Sequence, residues 1–154
     1  MPPALDTKVP EFTATATGGD FNLSDHRGKI LVLYFYPKDN TPGCTTEGVD
    51  FAHSHPKFKR AGAVIAGVSR DSVKSHDGFR AKMKFPFELI SDADEQLCDL
   101  FGVIKMKNMY GKQVRGIERS TFVIDGSGKL RREWRGVKVP NHVDEVLTYV
   151  QSLA

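Results

Sequence analysis

Cysteine is scarce in this chain. Only Cys44 and Cys98 occur among 154 residues, and they form no Cys-x-x-Cys pair. With so few, a cysteine here matters for its reactivity, not as a staple. Long apolar runs are also missing, since no window approaches the ~18 residues of a membrane span. Charge of one sign is lacking too: 22 basic and 19 acidic residues leave a net +3. The basic clusters Lys57-Phe58-Lys59-Arg60 and Arg131-Arg132 are short and read as solvated faces, not as a nucleic-acid surface. The opening "MPPALDTKVPEF" has neither the apolar core of a secretory signal nor an Arg/Ser-rich amphipathic stretch. These absences point to a soluble chain in a reducing, cytoplasmic setting. No repeat and no linker is visible, so residues 1–154 read as a single domain, long enough to bury a core without disulfides or metal.

The apolar runs that are present alternate with helical patterns. Ile30–Tyr36, "ILVLYFY", and Ala63–Val68, "AVIAGV", fit strands buried on both faces. Before them, "TATATGGDFNLSDHRG" reads as a short strand, a Gly18-Gly19 turn and a polar loop. A helix is expected from Cys44 to about His55, where Pro56 should kink or end it. Ser72–Met83 is a second helix with Ser72 as its cap. "FPFELISD" is a third strand, and Ser91 or Asp92 caps a helix over Asp94–Phe101 that Gly102 closes. "STFVIDGSGKLRREW" is a hairpin about Asp125–Gly128, and "NHVDEVLTYVQSL" a last helix with Asn141 at its cap. The order β-α-β-α-β-α-β-β-α, after an N-terminal β extension, predicts an α/β fold with a central mixed sheet flanked by helices.

In open α/β sheets, sites form beyond the carboxyl ends of strands. Cys44 follows the end of the Ile30–Tyr36 strand, behind a loop containing Pro37, Thr41, Pro42 and Gly43. A helix N-terminus offers unpaired N–H groups and a positive dipole end, which favour a thiolate. Gly43 permits close backbone approach, and Thr41, three residues before the sulfur, can bring a hydroxyl beside it or beside a substrate. Full ionisation of a thiol gains at most roughly thirty-fold, whereas enzymes need at least ~10⁶. Groups that orient substrate and stabilise developing charge must supply the rest, and an arginine suits that work. Arg119, Arg27, Arg70 and Arg115 are all candidates, among which periodicity does not choose.

The stretch "FYPKDNTPGCTTE" contains Pro-x-x-x-Thr-x-x-Cys and resembles the signature of peroxiredoxins, specifically the peroxiredoxin Q or bacterioferritin comigratory group. "FNLSDHRGK", "LISDADEQLCDLFGV" and "ERSTFVIDGSGKL" extend the likeness over nearly the whole chain. The resemblance implies a thioredoxin-like fold and a thiol-dependent peroxidase acting on hydrogen peroxide and alkyl hydroperoxides. It implies that Cys44 attacks a peroxide oxygen and becomes a sulfenic acid. Thr41 would contact the peroxide, Arg119 would support the thiolate and transition state, Pro37 would shield the pocket, and Glu47 would hold the arginine. No metal or organic cofactor is implied. The implied reductant is thioredoxin, or glutaredoxin or another thiol, and a monomer is expected although relatives include dimers.

Many relatives carry a resolving cysteine five residues after the first, where this chain has Val49. None lies in the Ser72–Met83 helix either, so Cys98 is the one other cysteine. It falls at the edge of an apolar helix face with Leu97, Leu100 and Phe101, which suits a structural thiol. The expectation is therefore a one-cysteine cycle, with two alternatives. One is a two-cysteine cycle with Cys98 as resolving residue. The other is a redox sensor or holdase that oxidises without efficient turnover. His53 and His55 are two apart and share no helix face, so they make no metal pair with Cys44.

Overall fold

The computed structural model describes residues 2–154. A hairpin of Thr13–Ala16 (β1) and Gly19–Asn22 (β2) comes first. Ile30–Phe35 (β3), Pro42–Arg60 (α1), Ala63–Ser69 (β4), Val73–Met83 (α2), Glu88–Ser91 (β5) and Gln96–Phe101 (α3) follow in alternation. Ile104–Met109 (β6) and Lys112–Ile117 (β7) form a separate hairpin, and Ser120–Ile124 (β8), Leu130–Arg135 (β9) and His142–Leu153 (α4) end the chain. Seven strands build one sheet in the order β2-β1-β5-β4-β3-β8-β9. The pairs β3–β4 and β4–β5 are parallel and the others antiparallel, so the sheet is mixed as expected.

All six residues of β3 are buried, because both sheet faces are covered. Alternation sends Leu31, Leu33 and Phe35 to a core shared with Leu97, Cys98 and Phe101 of α3. Ile30, Val32 and Tyr34 point the other way, to a core with Cys44, Phe51 and Phe58 of α1, Phe79 of α2, and Val143, Val146 and Val150 of α4. The two cysteines are therefore on opposite faces of the sheet.

Four expectations need correction. Helix α1 does not end near His55 but runs through Pro56 to Arg60. A proline inside a helix costs about 3 kcal/mol. Phe51 and Phe58 flank it, are wholly buried, and contribute about 1.5–3 kcal/mol each; Phe51 also stacks on Tyr34 with centroids 4.5 Å apart. Second, the polar stretch after Gly18-Gly19 is not all loop, since β2 buries Phe21 against the core. Third, the β6–β7 hairpin was absent from the expected order. Its turn, Tyr110-Gly111, has positive φ at both residues (53° and 80°), the geometry of a tight hairpin. Fourth, α3 starts at Gln96, two residues later than expected. Asp92 still caps it, from a distance: its carboxylate accepts from the backbone N–H of Leu97 (2.9 Å) and Cys98 (2.8 Å). Ser72 caps α2 as expected, by accepting from Ser75 N–H at 3.1 Å. Asn141 stands at the start of α4, but with φ 64° and no side-chain cap bond.

Candidate active site

β3 ends at Phe35, and the chain bends through Pro37 to Thr41 before α1 begins at Pro42. Asn40 takes φ 63° in this turn, a conformation that asparagine tolerates better than most residues. Pro42 opens the helix, where its missing N–H loses nothing. Cys44 thus stands on the first turn of α1, with a relative exposure of 2%.

Arg119, in the link between β7 and β8, reaches across to this turn. Its Nη2 donates toward Cys44 Sγ at 3.4 Å, and its Nη1 donates to Glu47 Oε1 at 2.6 Å. A Cβ on residue 43 would lie 3.3 Å from Arg119 Nη2, so Gly43 keeps the way clear for the guanidinium. Of the four arginines the sequence left open, Arg119 is the one brought to the sulfur. Arg70 and Arg115 pair with Glu95 instead. Arg27 lies beside Gly128.

Glu47, one helical turn after Cys44, is fully buried, and among the described residues its Oε2 has no hydrogen-bond partner. Burial raises its carboxyl to about 7, against the opposing pull of Arg119. A buried acid with a raised value binds its proton more tightly folded than unfolded. Its contribution to stability is therefore complete below its ordinary value of 4.5 and is lost as pH rises through about 7. Glu47→Gln carries no such titration. The stability difference is expected to move in favour of Glu47→Gln by up to about 3 kcal/mol between pH 4.5 and pH 8. Urea denaturation of both proteins across that range measures it; parallel curves would refute the assignment.

Thr41 is half-buried, and its hydroxyl donates to the Lys38 carbonyl at 2.8 Å. With its proton committed there, the oxygen faces any further partner as an acceptor. Pro37 is half-buried in the bend.

Periodicity does not single out several other groups that the fold brings near. Lys107 of β6 donates to the Ile117 carbonyl. Burial lowers its ammonium, as does the charge of Arg119, while Cys44 acts in the opposite sense. His142 bonds Thr121 Oγ1 through Nε2 at 2.8 Å. Burial, reinforced by the Arg119 charge, lowers this imidazole to about 4, so it is neutral at physiological pH. Asp39 lies in the turn itself and is 4% exposed. Burial alone would raise its carboxyl, but hydrogen bonds from His76 and Tyr36 outweigh that and the net shift is downward.

Cys98 lies wholly inside the opposite core. Burial, with the adjacent Asp92 carboxylate, pushes its thiol well above the ordinary range. Such a sulfur is a poor nucleophile. For a metal, the described residues offer one grouping, in which ligand atoms of Asp39, Asp71 and His76 lie within 4.8 Å of one another. Those atoms are engaged with each other and with protein donors and acceptors: His76 Nε2 with the Ile90 carbonyl, His76 Nδ1 with Asp39, and Asp71 Oδ2 with Asp39 N–H. Among the described residues no helix is long and apolar enough to cross a membrane.

The backbone overlays closely on solved structures. A cysteine-to-serine mutant of Xylella fastidiosa PrxQ gives a TM-score of 0.93 at 46% identity, over 99% of this chain and 98% of that one. A structure concerned with alkyl peroxide reduction by the Xanthomonas campestris bacterioferritin comigratory protein gives 0.88 at 56%, over 92% and 91%. The fold is thus the thioredoxin-like peroxiredoxin fold, and with a buried cysteine under an arginine it defines a thiol-dependent peroxidase. The AhpC/TSA family model matches residues 5–133, and the chain belongs to that family. Its relatives place it in the Bcp or peroxiredoxin Q group. Peroxiredoxin Bcp of Xanthomonas campestris is 59% identical over 137 residues, covering 89% of this chain and 86% of the relative. Peroxiredoxin Bcp of Bacillus subtilis is 48% identical over 151 residues, covering 97% and 96%.

Proposed function

We propose that Cys44 reduces hydrogen peroxide and alkyl hydroperoxides by a one-cysteine cycle completed by an external thiol. The observation that carries this reading is the divided guanidinium of Arg119, with one nitrogen at Cys44 Sγ and the other anchored on Glu47. In the first step the Cys44 thiolate attacks the terminal peroxide oxygen. The S–O bond forms as the O–O bond breaks, and the leaving alkoxide or hydroxide takes up a proton and departs as alcohol or water. Cys44 becomes a sulfenic acid. Arg119 stabilises the charge as it spreads from sulfur to the leaving oxygen. Thr41 Oγ1, its proton held by Lys38, accepts a hydrogen bond from the hydroperoxide O–H and sets the line of attack. Pro37 screens the bend from water, and Glu47 fixes the arginine.

A thiol of thioredoxin, of glutaredoxin or of a small molecule then attacks the sulfenic sulfur and releases water. A second thiol cleaves the mixed disulfide and restores Cys44. The whole chain acts as one domain, in the cytoplasm and as a monomer. Support for an external reductant comes from Val49 at the first resolving position, from the seating of Cys98 on the far side of the sheet, and from its raised thiol. Cys98→Ser is expected to keep peroxide turnover with a thioredoxin system within about twofold of wild type, per folded molecule, as for a residue outside the chemistry. Loss of turnover together with loss of an intramolecular disulfide on non-reducing gels would establish the two-cysteine cycle instead.

A further inference from the structure

Asp39 sits five residues before the reactive sulfur and is held from several directions. Its Oδ1 accepts from the Tyr36 hydroxyl at 2.6 Å. Its Oδ2 accepts from Ser75 Oγ at 2.8 Å and meets His76 Nδ1 at 2.7 Å. Its backbone N–H donates to Asp71 Oδ2 at 2.9 Å, and that carboxylate is itself held by Ser69 Oγ at 2.6 Å. The far ring nitrogen of His76, Nε2, faces the Ile90 carbonyl at 2.9 Å. A carbonyl only accepts, so Nε2 carries a hydrogen, and the Nδ1–Oδ2 contact then holds one shared proton. Both ring nitrogens of His76 are engaged, and the residue is completely buried. Asp39 is thereby tied to α2, to the β4–α2 link and, through His76, to the last turn of the sheet at β5.

The rest of the turn has no comparable ties. Among the described residues, Thr41 Oγ1 bonds Lys38 within the turn, and Thr45 N–H and Thr46 Oγ1 bond Thr41 and Pro42 at the start of the helix. Among the described residues, every hydrogen bond that leaves segment 37–43 for the body beyond α1 passes through Asp39. A buried polar pair adds little net stability against an apolar replacement, and its better-attested use is to specify one arrangement. Here the arrangement specified is the position of Thr41 and of the first turn of α1.

That position bears differently on the two half-reactions. A hydroperoxide group is small and can enter a closed site, where fixed geometry speeds attack. A protein thiol cannot reach a sulfur on a residue that is 2% exposed unless the turn moves. We infer that Asp39 and His76 form a latch on the Cys44 turn, a positioning pair that promotes oxidation of Cys44 by peroxide and restrains its reduction by a protein thiol. The reduction arm rests on the one-cysteine cycle proposed above; the oxidation arm does not.

The test separates the two half-reactions of Asp39→Asn and His76→Gln. Stopped-flow fluorescence gives the rate constant for Cys44 oxidation by hydrogen peroxide, and reduction of the pre-oxidised protein by thioredoxin gives the other. The ratio of oxidation to reduction is expected to fall at least about tenfold, since a misplacement near 1 Å can cost on the order of 100-fold. An unchanged or increased ratio overturns the latch. Unfolding would also expose Cys44, so both rate constants are read on variants whose circular dichroism and thermal transition show a folded protein. If the two variants do not fold, Ser75→Ala removes one bond and keeps the pair. Hydrogen exchange at amides 39–45 is then expected to quicken relative to wild type, and unchanged exchange overturns the proposal. Should wild type form a Cys44–Cys98 disulfide, seen on a non-reducing gel, the one-cysteine cycle fails. The second rate is then that of disulfide formation, and the ratio criterion stands.

Discussion

Cys44→Ser is expected to lower peroxide turnover by at least about 10⁴-fold, the order of loss when an enzyme loses its nucleophile. The reason is chemical and not conformational. Serine has almost the same shape, and the residue is packed among Tyr34, Phe51 and other apolar groups that do not change. Arg119 can still donate to an oxygen in place of the sulfur, so the site should stay assembled. What disappears is the polarizable sulfur nucleophile, which an unactivated hydroxyl does not replace. Peroxide consumption with dithiothreitol in excess measures the effect independently of any protein reductant. A Cys44→Ser protein with appreciable turnover would overturn the assignment of the nucleophile.

Arg119→Met should reduce the rate constant for Cys44 oxidation by about 10²–10³-fold, equivalent to roughly 2.7–4 kcal/mol of lost charge stabilisation. The 3.4 Å contact to sulfur carries the catalytic part of this loss. A second consequence follows from Glu47, which would lose its one hydrogen-bonded partner among the described residues. Removing one member of a buried ion pair commonly costs 3–5 kcal/mol. Here the cost is limited, since a carboxyl already raised to about 7 takes up a proton and becomes neutral. The double variant Arg119→Met/Glu47→Gln separates the two effects. Its thermal stability should recover relative to Arg119→Met, while its oxidation rate stays low. Recovery of both would mean that Arg119 serves the fold alone.

Local signals carried much of this account. The apolar run of β3, the proline-led start of α1 and the placement of a thiol there are properties of consecutive residues. So are Ser72 as a cap and the apolar stripe of α4. The less legible features depend on contacts distant in sequence. Pro56 signals a break, but the burial of Phe51 and Phe58 on either side outweighs it. The β6–β7 hairpin alternates apolar and polar residues only from Ile104 to Lys107; Asn108 stands where the next apolar residue is due, and β7 opens on Lys112-Gln113. Its exposed Met106, Tyr110 and Val114 contradict the usual direction of burial. Arg119 was one of four arginines until folding paired Arg70 and Arg115 with Glu95. Glu47 read as a supporting residue, yet its burial and its free oxygen are invisible in a sequence. Nothing in the sequence singles out Asp39 and His76, because their contact depends on the fold bringing α2 to the turn and on β5 supplying a carbonyl.

The central claim is that Cys44 alone takes oxygen from peroxide and waits for an external thiol. Intact-mass analysis after one equivalent of hydrogen peroxide, with a sulfenic-acid trap added, tests it most directly. One trapped sulfenic acid, mapped to Cys44, is expected in wild type and Cys98→Ser alike. A wild-type protein that instead loses two hydrogens, with Cys44 joined to Cys98, would contradict it.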